Sequence, residues 1–210
     1  MSRRLPQIVG IVGGSCAGKT WLADNLQKRL GRGAARLSQD DFYLDRAHLS
    51  LARRGRVNFD HPRAIDWRRL EQALSRCASG QSALVPRYDF ATHSRLELDQ
   101  TVEPAPVILV EGLWLFRRLS LRRLFDLKIY IRGASELCAQ RRLQRDTQER
   151  GRSLKQAEEQ WRTQTEPMFH RYVAPQERWA DLVLETPISQ EQVDRLAERL
   201  APASTHFVGI

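Results

Sequence analysis

Cysteine is scarce in this chain. The three cysteines, Cys16, Cys77 and Cys138, are scattered, odd in number and without metal-ligand spacing. This pattern excludes a disulfide-stabilised scaffold and a zinc-binding motif, and it is typical of a reducing compartment. We therefore expect a cytoplasmic protein in which Cys16 serves as a small filler residue, with chemical modification of its thiol as the alternative.

Long apolar runs are missing as well. No stretch approaches the roughly 20 apolar residues that a membrane-spanning helix needs. The basic segment Met1–Pro6 leads directly into a strand pattern without a cleavage site, so it does not predict a signal peptide. We expect no membrane association.

Lysine is rare, and arginine supplies nearly all of the positive charge. The lysines are Lys19, Lys28, Lys128 and Lys155, whereas lysine and arginine together number 34 against 25 acidic residues, a formal net charge of +9. A basic chain invites comparison with nucleic-acid-binding proteins. Here the arginines spread along the whole sequence instead of forming one stripe interleaved with aromatic residues. They predict solvated surface plus a set that binds phosphates, and no nucleic-acid partner.

The remaining composition is that of a folded α/β protein. Hydrophobic residues make up 41% of the 210 residues, which excludes a mostly disordered chain. We see no internal repeat, low-complexity block or long linker, so residues 1–210 are expected to form a single domain with a tail beyond Ala201.

The most informative stretch runs from Gln7 to Leu22. An apolar β-type run enters an octapeptide that matches G-x-x-x-x-G-K-[ST], the phosphate-binding P-loop, and a helix-type run follows, as the motif requires. Its glycines let backbone N–H groups point at a polyphosphate beside a helix N-terminus. The alternative is a glycine-rich turn, but the complete motif favours a nucleoside triphosphate. The candidate residues are Gly13, Gly14, Ser15, Cys16, Ala17, Gly18, Lys19 for the β- and γ-phosphates, and Thr20 for Mg²⁺.

Acidic residues follow two predicted strands. Asp40 and Asp41 come after the short strand at 34–38, and Glu111 ends the apolar run at 106–112. Open α/β sheets bind ligands at the carboxyl ends of their strands. A carboxylate such as Asp40 can there accept the proton of an attacking hydroxyl, and Glu111 can help to hold Mg²⁺ through water. Asp41 is expected to cap the next helix instead.

A cluster of arginines is the second notable feature. It lies on a predicted helix at 135–148 and in the segment after it, and it comprises Arg141, Arg142, Arg145, Arg150 and Arg152. Planar guanidinium groups suit phosphate oxygens, and a lid over a transferring phosphoryl group needs such cations. The alternative is a solvated helix face paired with Glu136 and Asp146. Gly151 offers a hinge and favours the lid.

The hydrophobic pattern predicts the other elements. An insertion at 83–102 is predicted to be a β-hairpin and an acceptor-binding flap, although ordinary hairpin packing explains Tyr88 and Phe90 equally well. Asp66 is expected to be a helix N-cap, and His61 to be structural. Further strands are predicted at 127–131 and 180–184, and helices at 21–30, 44–56, 66–78, 117–125, 157–169 (broken by Pro167 and Pro175) and 189–200.

These motifs together give the chain a family resemblance over roughly Gln7 to Leu184. It resembles the uridine kinases (uridine–cytidine kinases), P-loop kinases related to phosphoribulokinase. The resemblance implies a three-layer α/β/α fold around a parallel sheet of about five strands, with the hairpin at 83–102 and a helical lid at about 141–165. It rests on the P-loop, Ser38-Gln39-Asp40, Asn58-Phe59-Asp60-His61-Pro62, Tyr88-Asp89-Phe90, His93-Ser94-Arg95 and Arg145-Asp146 with Glu149-Arg150-Gly151-Arg152.

The resemblance also implies a reaction and a homo-oligomer, for example a tetramer. The reaction is transfer of the γ-phosphate of ATP or GTP, with Mg²⁺, to the 5′-hydroxyl of uridine or cytidine in pyrimidine salvage. The resemblance implies that Asp40 is the general base and that it lies near the metal together with Thr20 and Glu111. It implies that Asp60, Arg142 and Gln160 bind the ribose, that Tyr88 and His93 bind the edge of the base, and that Tyr43 and Phe90 line the pocket. The phosphates are expected to contact Lys19, Arg145, Arg150 and Arg152.

Some residues depart from the resemblance and leave the acceptor open. They are Trp21 directly after the P-loop, Arg63 after His-Pro, and Trp114 and Phe116 after Glu111-Gly112. One alternative is a kinase of another small hydroxyl compound, such as a riboside, a sugar phosphate or a pantothenate-like acceptor. Tyr88 together with His93 argues against a sugar phosphate, which has no base to read. The other alternative is a nucleotide-dependent RNA-binding or regulatory protein.

Overall fold

A parallel sheet of five strands lies at the centre of the computed structural model, which describes residues 5–201. Residues 1–4 and 202–210, which include part of the basic N-terminal segment and the predicted tail, lie outside the described residues. The sheet has the strand order β2-β7-β1-β8-β9. The strands are β1 (Gln7–Gly13), β2 (Ala34–Ser38), β3 (Ala83–Val85), β4 (Tyr88–Asp89), β5 (Ser94–Arg95), β6 (Gln100–Val102), β7 (Val107–Gly112), β8 (Leu127–Arg132) and β9 (Leu182–Glu185).

Helices cover both faces of the sheet, because its central strands are apolar on both sides. Val9 and Ile11 of β1 belong to one buried cluster, whereas Ile8 and Val12 belong to the other. The predicted three-layer α/β/α fold is therefore confirmed. The helices are α1 (Lys19–Leu30), α2 (Leu51–Arg54), α3 (Trp67–Ala78), α4 (Leu119–Arg122), α5 (Ser135–Gln148), α6 (Leu154–Gln160), α7 (Glu166–Met168) and α8 (Gln190–Leu200). Among the described residues, no helix combines the length and apolarity needed to cross a membrane.

The carboxyl ends of β1, β2 and β7 meet at one edge of the sheet. The register places Ser38 beside Glu111 and Val12 beside Gly112. The fully buried Gln39 ties two of the turns together, since its Oε1 accepts hydrogen bonds from the backbone N–H groups of Leu113 (2.7 Å) and Trp114 (3.0 Å). The P-loop and the loops after β2 and β7 thus converge on one place.

The segment at 83–102 forms two short antiparallel pairs, β3 with β6 and β4 with β5. Between β4 and β5 the chain turns through His93, whose φ of +52° lies in the left-handed region. This turn brings the hairpin tip over the same edge of the sheet.

Two helix predictions are wrong in extent. The segment at 44–56 is helical only at α2, because Arg54 donates to the carbonyls of Leu49, Ala47 and Thr92 and so holds an irregular loop against the hairpin. The helix predicted at 117–125 consists of a 3₁₀ turn (Leu115–Arg117) and the short α4.

The predicted breaks at Pro167 and Pro175 are also wrong. The chain stays helical from α6 to residue 179, through π turns at Trp161–Thr165 and Phe169–Val173 and a 3₁₀ helix at Ala174–Trp179. Pro167 lies two residues after the first π turn and Pro175 two residues after the second, where the wider turn has already interrupted the regular α-helical hydrogen bonding that a proline would otherwise break.

Candidate active site

A cavity of about 620 Å³ lies over the carboxyl edge of the sheet. It extends from the P-loop to the hairpin, and α5 with the segment after it forms one wall. The predicted site residues on its lining are Ser15, Cys16, Gly18, Lys19, Thr20, Asp40, Tyr43, Asp60, Tyr88, Phe90, His93, Glu111, Arg142, Arg145, Arg150, Arg152 and Gln160. Gly13, Gly14 and Ala17 shape the loop behind that surface.

The P-loop has the backbone that its sequence requires. Gly18 has a φ of 102°, and a Cβ on Gly13 would come within 2.6 Å of the carbonyl oxygen of Ile131 on β8. Both positions therefore favour glycine. The buried Lys19 folds back over the loop, and its Nζ donates to the carbonyl oxygen of Gly14 at 2.7 Å.

Asp40 and Glu111 form an acidic centre next to Lys19. Burial and the charge of Asp40 raise the pKa of Glu111, although Lys19 and a 2.7 Å hydrogen bond from the Ser38 hydroxyl oppose the shift. Oδ1 of Asp40 is buried and has no hydrogen-bond partner among the described residues. Two carboxylates of this kind fit Mg²⁺, which prefers oxygen ligands and keeps several waters. Within residues 5–201 no three acidic, histidine or cysteine side chains cluster as a metal cage, so such an ion would need Thr20, phosphates and water as well.

Asp41 does not cap the next helix as predicted, because α2 begins after Ser50, which is its N-cap. The 3₁₀ turn at Gln39–Phe42 is capped by Ser38, whose hydroxyl accepts from the N–H of Asp40 at 3.3 Å. Burial and the neighbouring Asp40 raise the pKa of Asp41 to about 6.

Five rings surround the hairpin end of the cavity, and we name them the aromatic box: Tyr43, Phe59, Tyr88, Phe90 and His93. Tyr43 contacts Phe59 and Tyr88 with centroid separations of 5.3 and 5.2 Å, and His93 stacks on Phe59 at 4.9 Å. Oη of Tyr88 is buried without a partner among the described residues. Burial and the positive charges of Arg152 and Arg150 lower the pKa of His93, so its imidazole is neutral at pH 7. The box therefore offers flat apolar faces and a few free polar atoms.

A buried ion pair separates the aromatic box from the P-loop. Arg142 donates from Nη1 and Nη2 to the two carboxylate oxygens of Asp60, each at 3.2 Å, and from Nη1 to the hydroxyl of Ser15 at 2.8 Å. The Thr165 hydroxyl donates to Asp60 at 3.0 Å. Oε1 of Gln160, also on the lining, is buried and has no partner among the described residues. These bonds hold the Asp60 carboxylate and the Arg142 guanidinium in fixed positions between the P-loop and the aromatic box.

The arginines after residue 144 do not form the solvated face that was the alternative. Arg145, Arg150 and Arg152 all turn into the cavity and share the carboxylate of Asp146, which is 1% exposed. The guanidinium of Arg150 also lies 4.9 Å from the centre of the Phe90 ring. The arginine cluster and the aromatic box are thus in direct contact.

Several lining residues escaped prediction. Phe59 and Glu149 lie inside segments already singled out, and the loop Thr186–Ile188 follows β9, where the carboxyl-edge rule could have found it. Arg141, which belongs to the predicted arginine cluster, also lies on the lining, and it donates to the Thr186 hydroxyl at 3.3 Å beside the P-loop. Asp146 lies behind the lining; the sequence drew attention to it only as a partner of a solvated helix face, because its burial depends on the tertiary fold.

The departures from the resemblance do not obstruct the cavity. Trp21 is 40% exposed and lies on the lining, so it does not crowd the first turn of α1. Trp114 and Phe116 are fully buried; Phe116 packs on Gly10, where a Cβ would come within 2.7 Å of its ring. Arg63 is exposed, and its N–H donates to His61, whose ring also bonds the Tyr172 hydroxyl in a structural role.

Comparison with known proteins gives matches over most of the chain. The profile described as the phosphoribulokinase / uridine kinase family matches residues 8–192. A uridine kinase of Chloroflexus aggregans is 41% identical over 179 residues, which cover 85% of this chain and 86% of that protein. A uridine kinase of Macrococcus caseolyticus is 38% identical over 178 residues, covering 84% and 86%. The structure of phosphoribulokinase from Rhodobacter spheroides superposes on this chain with a TM-score of 0.63 at 16% identity. The match includes 86% of this chain and 70% of that structure, and it shows likeness of fold.

Proposed function

The chain belongs to the phosphoribulokinase / uridine kinase family, an ATP-dependent kinase family, and we propose that it phosphorylates the 5′-hydroxyl of uridine or cytidine to give UMP or CMP. One observation carries the choice of acceptor. A single cavity joins the P-loop to the aromatic box, with the Asp60–Arg142 pair at the junction. Its dimensions and chemistry suit a triphosphate at one end and a nucleoside at the other.

The donor is proposed to be ATP, or GTP, bound by the P-loop. Backbone N–H groups of the loop and the N-terminus of α1 face the phosphates, and Lys19 leaves the Gly14 carbonyl to reach them. Thr20, Asp40 and Glu111 would hold Mg²⁺, directly or through water. When bound, that ion neutralises charge on the β- and γ-phosphates.

The acceptor is proposed to lie in the aromatic box. Its pyrimidine would contact the rings of Tyr43, Phe59 and Phe90, while the Tyr88 hydroxyl and the neutral imidazole of His93 pair with the base edge. Asp60, Arg142 and Gln160 would bind the ribose hydroxyls. Oη of Tyr88 and Oε1 of Gln160 support this placement: both are buried without a partner in residues 5–201, and buried polar atoms are almost always hydrogen-bonded.

Asp40 is proposed to orient and deprotonate the 5′-hydroxyl. As O5′ forms its bond to the γ-phosphorus, the bond from that phosphorus to the β,γ-bridging oxygen breaks, the hydroxyl proton passes to Asp40, and ADP leaves. Lys19 and the lid arginines at 141–165 would stabilise the charge on the transferring group. In this proposal the hairpin at 83–102 is the acceptor flap.

A coupled kinase assay with Mg·ATP tests the proposal. The panel comprises uridine, cytidine, adenosine, nicotinamide riboside, ribulose 5-phosphate and pantothenate. We expect turnover of uridine or cytidine, and a 10²–10⁴-fold lower kcat in Asp40→Asn because the base is lost. Asp194→Asn removes an exposed carboxylate on α8 that pairs with Arg29 of α1, and it serves as the control with unchanged activity.

Other results would change the assignment. Turnover of a non-pyrimidine acceptor alone would discard the roles of Tyr88 and His93. Absence of turnover with all six acceptors, while ATP still binds, would favour a regulatory or RNA-binding protein. A homo-oligomer, such as a tetramer, and a cytoplasmic place in pyrimidine salvage stay predictions of the same proposal.

A further inference from the structure

Asp146 lies behind the cavity wall, and its side chain is 1% exposed. It belongs to the last turn of α5, next to the turn through Gly151, whose φ is +64°. A fully buried carboxylate is costly unless charged partners surround it. Here burial alone would raise the pKa of Asp146, but the charges of Arg142, Arg150 and Arg145 outweigh it and lower the pKa. Asp146 is therefore an anion inside the arginine cluster.

Each oxygen of this carboxylate faces two arginines. Oδ2 accepts from Nε of Arg142 at 3.0 Å and from Nη1 of Arg152 at 2.8 Å. Oδ1 lies 3.4 Å from Nε of Arg145 and 3.6 Å from Nη1 of Arg150. The backbone N–H of Arg152 also donates to the Asp146 carbonyl at 3.1 Å, which closes the turn between them. One side chain thus fixes guanidinium groups from α5 and from the segment after it.

Without a shared anion these guanidinium groups would repel one another. Burial and the charge of Arg145 already lower the pKa of Arg150. The neutral amide of asparagine could accept hydrogen bonds on one oxygen, but it would not offset the mutual repulsion of the cations. The guanidinium groups would stay charged and near the phosphates while losing their common orientation.

We propose that Asp146 is a positioning residue: anchored on the buried Arg142, it orients Arg145, Arg150 and Arg152 so that these three guanidinium groups meet the transferring phosphoryl group together. It touches no substrate in this scheme and acts only through the arginines. We expect Asp146 to stabilise the transition state, which depends on the orientation of the guanidinium groups. It should affect the affinity for ATP less, because that affinity depends mainly on their charge. The inference rests on the proposed phosphoryl transfer.

The kinetic test compares Asp146→Asn with Asp194→Asn. For Asp146→Asn we expect kcat per folded molecule to fall at least tenfold, while the calorimetric Kd for the non-hydrolysable analogue AMP-PNP changes less than threefold. A purely structural role would lower the melting temperature and the folded fraction but leave kcat per folded molecule within twofold of wild type. That result would overturn the proposal.

Two further measurements keep the test decisive. In an Arg145→Gln background, Asp146→Asn should lower kcat by much less than in the wild type, because one of the arginines through which Asp146 acts is already absent. An equal fold-decrease of kcat in both backgrounds would contradict the proposal. If Asp146→Asn does not fold, Asp146→Glu keeps the charge but displaces the carboxylate, and we expect a folded protein with a three- to tenfold lower kcat. Wild-type kcat in that variant would count against the proposal.

An NMR experiment without acceptor separates this inference from the proposed function. The Nε–Hε signals of Arg145 and Arg142 should be resolved in the wild type. In Asp146→Asn the Arg145 signal should be lost to exchange, while the Arg142 signal persists because Asp60 still holds its guanidinium. Unchanged signals would refute the positioning role even if uridine is the acceptor, and a failed acceptor panel would leave the NMR result standing.

Discussion

His93 is the residue whose protonation should distinguish the two pyrimidines. Burial, Arg152 and Arg150 lower its pKa below the ordinary 6.5, while Asp89 opposes them and Arg54 adds to them. A neutral imidazole can either donate or accept, whereas the imidazolium only donates. Cytidine presents an amino group and needs an acceptor at that place; uridine presents a carbonyl and needs a donor.

We therefore predict that the KM for cytidine rises as pH falls through the lowered pKa of His93, while the KM for uridine changes much less. Initial rates from pH 5 to 8 check this. In His93→Gln the amide keeps both a donor and an acceptor at every pH, so the divergence should disappear. Parallel KM profiles in the wild-type enzyme would contradict the assignment of His93 to the base edge.

The same shift has a consequence for stability. Because the folded protein binds a proton at His93 more weakly than the unfolded chain does, protonation favours the unfolded state as pH falls below about 6.5. The contribution of His93 to stability is thus largest above that pH.

The positions of site residues on the cavity were predictable where a motif names them. Lys19 and Thr20 follow from the P-loop, and Asp60 from a motif that the resemblance supplied; their roles stay predictions. Asp146 could not be found in this way, because an aspartate among arginines on a helix resembles an ordinary solvated ion pair in sequence. The burial of the Asp146 carboxylate is visible only in the structure, where α5 packs against the P-loop.

At the scale of elements, the turn after β7 depends on close packing around Gly112. A Cβ on Gly112 would come within 2.4 Å of Oε1 and 2.5 Å of Cβ of Gln39. Gln39 cannot move without giving up its bonds to the N–H groups of Leu113 and Trp114. This contact joins the turn after β2, which carries Asp40, to the end of β7, which carries Glu111.

We predict that Gly112→Ala lowers the free energy of unfolding by about 2–4 kcal/mol through overpacking and lost buried hydrogen bonds. For a chain of this size that corresponds to a melting temperature lower by about 5–15 °C. Gly33→Ala is the matched control, since no atom lies within 4 Å of its added Cβ, and it should match or slightly exceed the wild type. A melting temperature of Gly112→Ala within 1 °C of wild type would show that Gln39 moves freely.

The elements of the sheet were predictable, and the irregular segments were not. Continuous apolar runs fix β1, β7 and β8 because such strands are buried on both faces. The helix predicted at 44–56 failed because the Arg54 side chain, through its bonds to three carbonyls, outweighs local helix propensity. The break predicted at Pro167 failed for a different reason: the π turn before it already interrupts the regular α-helical hydrogen bonding, so the proline does not end the helical run.

For the whole molecule, the fold places one cation-rich wall opposite the P-loop. The net charge of +9 alone is as consistent with a nucleic-acid ligand as with a nucleotide. In the structure, five arginines of α5 and the segment after it line a cavity large enough for a nucleotide: Arg141, Arg142, Arg145, Arg150 and Arg152. A ligand in this cavity would engage the P-loop, α5 and the segment after α5 at once. A nucleotide should therefore stabilise the entire protein and not a single loop.

We predict that AMP-PNP with Mg²⁺ at 100 times its Kd raises the melting temperature by about 5–10 °C, since such saturation corresponds to about 2.7 kcal/mol. Lys19→Met should lose most of this shift, because the side chain that reaches the phosphates is gone. Lys28→Met, an exposed lysine on the same helix, is the control and should keep it. The shift should also shrink between 50 and 500 mM NaCl, as screening weakens the contacts of phosphates with arginines. An equal shift in Lys19→Met and Lys28→Met would mean that the nucleotide binds elsewhere than on the P-loop.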